Sequence, residues 1–202
     1  MKLYNVRYSG NSYKVRILLS HLGIPCEIVD VDILKGESRT AEFLKINPNG
    51  RTPVLDDDGF VLAESNAILA HLARGTKFLP EDPQKFALVF QWMFFEQYSH
   101  EPYIATSRFW IQHKPDSPEK TALLASKREG GWAALKIMED HLAKNDFFVG
   151  DYTIADIALF AYTHVSHEGG FPLDSFPMVR AWIQRVKAQP GFISMAWNEG
   201  KS

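Results

Sequence analysis

A single cysteine, Cys26, occurs in 202 residues. That excludes an internal disulfide framework and any Cys-x-x-Cys redox or zinc pair, and it fits a reducing compartment. No apolar run approaches the roughly 18 residues of a membrane span, and Met1-Lys2 leads into Leu3-Tyr4-Asn5-Val6 without the apolar core of a signal peptide. The expected location is cytoplasmic, with no membrane partner. Basic runs are also missing: the longest is Lys127-Arg128 and the formal charge is −2, so nucleic acid is not an expected partner. Neither a Gly-x-Gly-x-x-Gly nor a Walker pattern is present, which leaves no signal for a nucleotide cofactor. His164 and His167 stand close together without a third ligand, so no metal is expected.

What is present is a hydrophobic content of 46%, enough for a substantial core: at this length about 70% of the extended chain's surface can be buried. Lys2 to Val6 reads as a strand, and Val15, Leu18, Leu19 and Leu22 follow at helical spacing until Gly23-Ile24-Pro25 stops them. A second strand over Cys26 to Val31, a short helix around Thr40 to Leu44, a hairpin, and a helix with Ser65, Ile68, Leu69 and Leu72 on one face complete a βαβαββα order. From Gly75 to Pro83 the chain turns polar, and beyond it only helical patterns appear, at Gln84–His100, Glu119–Ala143, Ile154–Ser166 and Pro177–Ala188. The expected organisation is an α/β domain over residues 1–76, a linker over 77–85 and an all-α domain over 86–202. Thr153 and Asp156 have the spacing of a capping box, a folding device rather than a chemical one.

Two stretches carry candidate chemistry. Asn47-Pro48-Asn49-Gly50-Arg51-Thr52-Pro53-Val54-Leu55 places Thr52 before a proline, which pushes it toward extended backbone at the start of a strand. Asp56-Asp57-Asp58-Gly59 then turns the chain, and Glu64-Ser65-Asn66 falls at a helix start, where unpaired N–H groups favour an anion. By pattern alone this is an ordinary hairpin followed by an ordinary helix cap. The turn Tyr8-Ser9-Gly10-Asn11-Ser12-Tyr13-Lys14-Val15 likewise reads first as a helix start, which Ser9, Asn11 or Ser12 can cap.

The run Asn47 to Leu55, the second hairpin strand and Glu64-Ser65-Asn66-Ala67-Ile68 together resemble the thioredoxin-like domain of the cytosolic glutathione transferases, and the likeness extends over nearly the whole chain. The resemblance is to serine-type, theta-like or zeta-like members of bacterial type. It implies a cis peptide before Pro53, backbone pairing of Thr52 with the cysteinyl part of glutathione, and Glu64 with Ser65 at the γ-glutamyl end. Lys35 and Arg51 lie in loops where the family contacts the glycyl carboxylate. It also implies a thiolate-stabilising hydroxyl in the first turn. Counting back from Val15 places that hydroxyl at Ser9, with Asn11 or Ser12 as a secondary donor and Tyr8 as the rival.

A free thiol has a pKa near ~8.5, and lowering it by about two units takes roughly 2.7 kcal/mol, which one hydroxyl donor and a helix N-terminus together supply. The aromatic-rich stretches Gln91–Tyr98 and Glu101–Trp110 read as core by spacing; the resemblance instead lines an electrophile pocket with them, and Tyr103, Arg108 and Phe109 are the candidates. The implied activity is attack of the glutathione thiolate on a small hydrophobic electrophile by a homodimer, with glutathione as cosubstrate. A glutathione-dependent isomerase or disulfide reductase, or a non-catalytic binding module on the same fold, are the alternatives.

Overall fold

In the first strand, β1 (Lys2–Asn5), Leu3 is wholly buried while Tyr4 points to the opposite side of the sheet and meets the Phe43 ring edge-on at 5.9 Å. The computed structural model describes residues 1–196. After β1 come α1 (Gly10–Leu22), β2 (Glu27–Asp30), α2 (Ala41–Ile46), β3 (Val54–Asp57), β4 (Phe60–Ala63) and α3 (Ser65–Ala73). The strands lie in the order β2-β1-β3-β4, with β1 and β2 parallel, and β3 antiparallel to both β1 and β4. This is the βαβαββα arrangement expected from the sequence. One face of the sheet holds Val31, Phe43 and Val54 with Tyr4, Ile33 and Ile46 around them; α1 and α3 pack on each other, burying Leu18, Ile68 and Leu69 completely.

Local chemistry sets the ends of these elements. Gly23 takes the left-handed conformation (φ 63°), which costs a glycine little, and donates to the Ser20 carbonyl while Ile24 N–H reaches back to Leu19, closing α1 before Pro25. Asp58 and Gly59 both have positive φ, at 51° and 94°, the backbone that a tight two-residue hairpin demands.

Residues Met1–Arg74 form one compact unit together with the stretch beginning at Gln189, and Gly75–Ala188 form a second. The returning stretch corrects the expected 86–202 domain, whose residues 197–202 lie outside the described part of the chain. Side chains of α1 hold it by its backbone carbonyls: Tyr13 Oη donates to Ile193 at 2.6 Å, Arg16 to Met195 at 3.2 Å, Ser20 Oγ to Gly191 at 2.7 Å and His21 Nδ1 to Pro190 at 2.7 Å. The expected linker over 77–85 is also corrected. Phe78 and Leu79 are buried, Phe78 accepts from Ile154 N–H at 3.0 Å, and Pro83 already opens a helix, so this stretch packs within the helical unit.

That unit comprises α4 (Pro83–Phe95), a π-helical turn (Glu96–His100), α5 (Glu101–His113), α6 (Pro118–Leu142), α7 (Ile154–Thr163) and α8 (Pro177–Lys187). The spacing had suggested one helix ending at His100. The chain instead continues into α5, because Pro102 sits in the first turn, where its missing N–H costs no intrahelical bond. Every residue of α7 is buried, and its start is fixed by the capping box of Thr153 and Asp156. Asp156 Oδ1 accepts from Phe148 N–H at 3.1 Å and from Trp182 Nε1 at 2.9 Å, and its Oδ2 accepts from Thr153 N–H at 3.0 Å. No helix among the described residues is long and apolar enough to cross a membrane.

Candidate functional site

The first turn after β1 is built by two serines with different duties. Ser9 is the N-cap of α1, in extended backbone (φ −78°, ψ 127°), and its hydroxyl accepts from Ser12 N–H at 3.5 Å. A hydroxyl that only accepts keeps its hydrogen to donate, and the Ser9 side chain is half-exposed. Ser12 is wholly buried, and its Oγ accepts from Val6 N–H at 3.0 Å. Ser12, expected as a secondary thiol donor, thus ties the turn to the end of β1 and is wholly buried, where Ser9 is half-exposed. Burial, helped by the Asp32 carboxylate, pushes the Tyr8 phenol above its ordinary range and keeps it protonated.

Residues far apart in sequence converge on the first turns of α1 and α3. Ser65 opens α3 and is buried, and its hydroxyl donates to Asn11 Oδ1 at 3.1 Å. Lys14, one turn along α1 and wholly buried, places Nζ at 3.4 Å from Ser65 Oγ and 3.5 Å from Asn66 Oδ1. Sequence reasoning missed that Lys14 meets Ser65. The signal was available: it precedes Leu18 by four positions and so shares the core-facing side of α1.

Glu64, just before Ser65, has φ 71° and ψ 114°, outside the regions open to a side-chain-bearing residue. Such a conformation costs of order 1–3 kcal/mol and concentrates where function requires it. Glu64 is exposed, and its carbonyl still accepts the first helical bond from Ile68 N–H at 2.9 Å. An exposed carboxylate and a helix N-terminus stand here within one turn of chain, charges of opposite sign able to hold the two ends of a zwitterion.

The loop before β3 is braced from within. Buried Asn47 donates from Nδ2 to the Arg51 carbonyl at 2.8 Å and accepts from Asn49 N–H at 3.1 Å, while Arg39 donates to the Asn49 carbonyl at 3.0 Å. Gly50 is obligatory on two counts: its φ is 60°, and a Cβ there would lie 2.6 Å from Arg39 Nη1 and 2.8 Å from the Ser38 carbonyl oxygen. The Thr52–Pro53 peptide is cis. Pro53 is buried, Thr52 half-buried, and among the described residues no hydrogen bond takes the Thr52 backbone N–H. Arg51 is exposed, as is Lys35, which pairs with Asp32 at 3.2 Å.

In the helical unit, the three residues expected in an electrophile pocket have other partners. Arg108, expected as a substrate contact, is buried and its Nε donates to Glu168 at 2.6 Å, tying α5 to the 3-10 turn at Ser166–Gly169. The Tyr103 ring lies where a Cβ on Gly130 would come within 2.3 Å, so it packs tightly on α6. Phe109 is half-exposed and sits 5.0 Å from the His113 ring. His164 stacks on Phe160 at 4.6 Å and bonds through Nδ1 to the Phe160 carbonyl at 2.9 Å; burial lowers its pKa to about 4, which holds it neutral. No group of three metal-ligating side chains stands together among the described residues.

Residues 1–74 match the family profile "Glutathione S-transferase, N-terminal domain", and residues 91–190 match "Glutathione S-transferase, C-terminal domain". Glutathione S-transferase F13 of Arabidopsis thaliana is 30% identical over 210 residues, covering 97% of this chain and 94% of that protein. A crystal structure of glutathione S-transferase from Pseudomonas fluorescens superposes with a TM-score of 0.93 at 48% identity, covering 96% of this chain and 98% of that one. The glutathione transferase URE2P8 from Phanerochaete chrysosporium, solved with oxidized glutathione, gives 0.84 at 28% identity, covering 94% and 90%.

Proposed function

The chain belongs to the glutathione S-transferase family and is a glutathione transferase; from that premise we propose that it joins the glutathione thiolate to a small hydrophobic electrophile. The observation that carries the proposal is the meeting of Asn11 with Ser65 beside the strained Glu64, which gathers carboxylate-binding and ammonium-binding groups next to the turn that presents Ser9. The γ-glutamyl carboxylate lies at the N-terminus of α3 and its ammonium against Glu64. The cysteinyl backbone pairs with Thr52, and the glycyl carboxylate faces Lys35 and Arg51.

Ser9 donates its uncommitted hydrogen to the sulfur, with the Asn11 amide as second donor. A hydrogen bond to a charged group is worth roughly 1.5–3 kcal/mol, enough to lower the thiol pKa by about one to two units. Tyr8, held protonated by burial and Asp32, is a weaker candidate because its hydroxyl is turned into the protein. Phe109 remains the proposed contact for the electrophile in the helical unit. The enzyme's contribution is binding, orientation and thiolate stabilisation, while the cosubstrate supplies the nucleophile.

A homodimer is part of the same reading. Phe86, Phe90 and Phe94 run along α4 as a ladder of ring contacts at 4.8 and 6.2 Å, and Phe94 is 68% exposed; on the first unit, Phe60 and Val61 of β4 are exposed too. Exposed aromatics in such number fit burial against a second copy.

The test is calorimetric binding of glutathione, followed by product analysis in separate assays with an activated aryl halide, a cis-unsaturated acid and a mixed disulfide. A thioether product supports conjugation; an isomerised substrate or a released disulfide thiol assigns one of the alternative chemistries. Absence of glutathione binding would leave only a non-catalytic module.

A further inference from the structure

One side of α1 is built to seat an extended peptide. Tyr13, Arg16 and Ser20 stand at i, i+3 and i+7, on one face of the helix. Each donates to the segment that returns after α8: Ser20 to the Gly191 carbonyl at 2.7 Å, Tyr13 to Ile193 at 2.6 Å, and Arg16 to Met195 at 3.2 Å through both Nη1 and Nη2. Carbonyls at alternate residues of an extended chain share one side, which is why 191, 193 and 195 are the ones reached. Arg16, only 5% exposed, has a second duty: its Nη2 also donates to the Arg7 carbonyl at 2.8 Å. Arg7 is a central residue of the turn that Ser9 N–H closes on the Val6 carbonyl at 3.0 Å. Such a turn leaves its central carbonyl outside its own hydrogen bond, so the plane of the peptide leading to Tyr8 and Ser9 is set by what that carbonyl meets. Here it meets the same guanidinium that grips Met195.

We propose that residues 189–195 are a strap acting through Arg16, a positioning residue that holds the Arg7 carbonyl and so aims the Ser9 hydroxyl at the glutathione sulfur; the inference rests on the glutathione reading above. The guanidinium is planar and carries its donors in a fixed fork, so one rigid group spans the strap and the turn, and the Tyr13 ring lies 5.4 Å from its carbon. A hydrogen bond weakens steeply with misalignment, so a turn that tilts loses its hold on the sulfur. The contacts to the two ends of glutathione are made by other segments and stay. Loss of Arg16 therefore acts on the thiol more than on affinity.

The experiment measures hydrogen exchange at the Ser9 amide and at the amide of wholly buried Leu18 inside α1, the thiol pKa of bound glutathione by thiolate absorbance, and the glutathione dissociation constant by calorimetry. Arg16→Lys keeps the positive charge without the planar fork, which separates aiming from electrostatic attraction. It is expected to speed exchange at Ser9 about tenfold relative to Leu18 and to raise the bound thiol's pKa by about half a unit or more, with the dissociation constant within about threefold of the wild type. Tyr13→Phe loosens the strap and leaves Arg16 in place. It is expected to move the exchange ratio and the thiol pKa in the same direction, and to add nothing further in an Arg16→Lys background. Exchange rising equally at both amides, an unmoved thiol pKa, or additive effects of the two substitutions overturn the proposal and make Arg16 a structural tie. Should Arg16→Lys not fold, Tyr13→Phe decides by the same exchange ratio and thiol pKa. A wild type that does not bind glutathione overturns the glutathione reading itself, while the exchange ratio, measured without ligand, still decides whether Arg16 holds the turn.

Discussion

Replacing Asp156 tests whether the helical unit is held together at one buried carboxylate. Asp156 is wholly buried and its two oxygens accept from Phe148 N–H, Trp182 Nε1, Thr153 N–H and, at 3.3 Å, the Thr153 hydroxyl. Asp156→Ala removes the acceptor from three buried N–H donors. At 1–3 kcal/mol for each buried unsatisfied group, and allowing for water entering the vacated space, the cost is about 4 kcal/mol, or roughly 10 °C in melting temperature. Asp156→Asn keeps an oxygen for Phe148 and Trp182 but turns an NH2 group on the Thr153 N–H. It therefore costs about 2 kcal/mol, since the Thr153 hydroxyl can rotate while the N–H cannot. Urea denaturation followed by tryptophan emission is the assay, because Trp182 is wholly buried and bonded to the replaced group. An alanine variant losing under about 1 kcal/mol would refute the reasoning, as would asparagine proving as damaging as alanine.

The same carboxylate and His164 give stability a pH dependence of two opposing parts. Burial raises Asp156 from 3.8 to about 6, so its contribution is fully present below 3.8 and is lost as pH rises through 6; burial lowers His164 from 6.5 to about 4, so its contribution is present above 6.5 and is lost as pH falls through 4. Each is worth about 3 kcal/mol and the windows overlap, so the two largely cancel between pH 4 and 6 in the wild type. Removing Asp156 should leave stability rising with pH there, and His164→Gln should leave it falling; denaturation midpoints with unchanged slopes in both variants would sink this account. Glu64→Gly should relieve the strained backbone and raise stability by about 1 kcal/mol while weakening glutathione binding, a trade read by melting temperature and calorimetry together. Gly50→Ala should destabilise by about 2 kcal/mol or more, because φ and the Arg39 and Ser38 contacts all oppose a Cβ; a melting temperature like the wild type's would contradict the packing. Ser9→Ala should shift the lower limb of the pH–rate profile for conjugation upward by about one unit or more, and an unmoved limb would pass the donor role to Asn11.

The order of elements in the first unit was legible because it rests on local chemistry. Period-2 and helical apolar spacings, Gly23 before Pro25, and Asp58-Gly59 between two strands each specify backbone conformation within a few residues, and the structure follows them. The capping box at Thr153 and Asp156 was readable for the same reason. Other features depend on which distant groups meet. Ser12 looked as exposed to a ligand as Ser9, and only the fold buries it against the end of β1. Arg108 looked free until Glu168, sixty positions on, was found against it. The stretch from Gln189 shows no composition shift, and its return to α1 runs through four side chains that bond its backbone carbonyls, a pairing no residue pattern advertises. Lys14 shows the division most clearly. Its place on the core side of α1 follows from the helical repeat, but its contact with Ser65 comes from the N-terminus of α3 being packed alongside. Hydrogen bonds and charges act over a few ångströms, and only the folded chain decides which residues come that close.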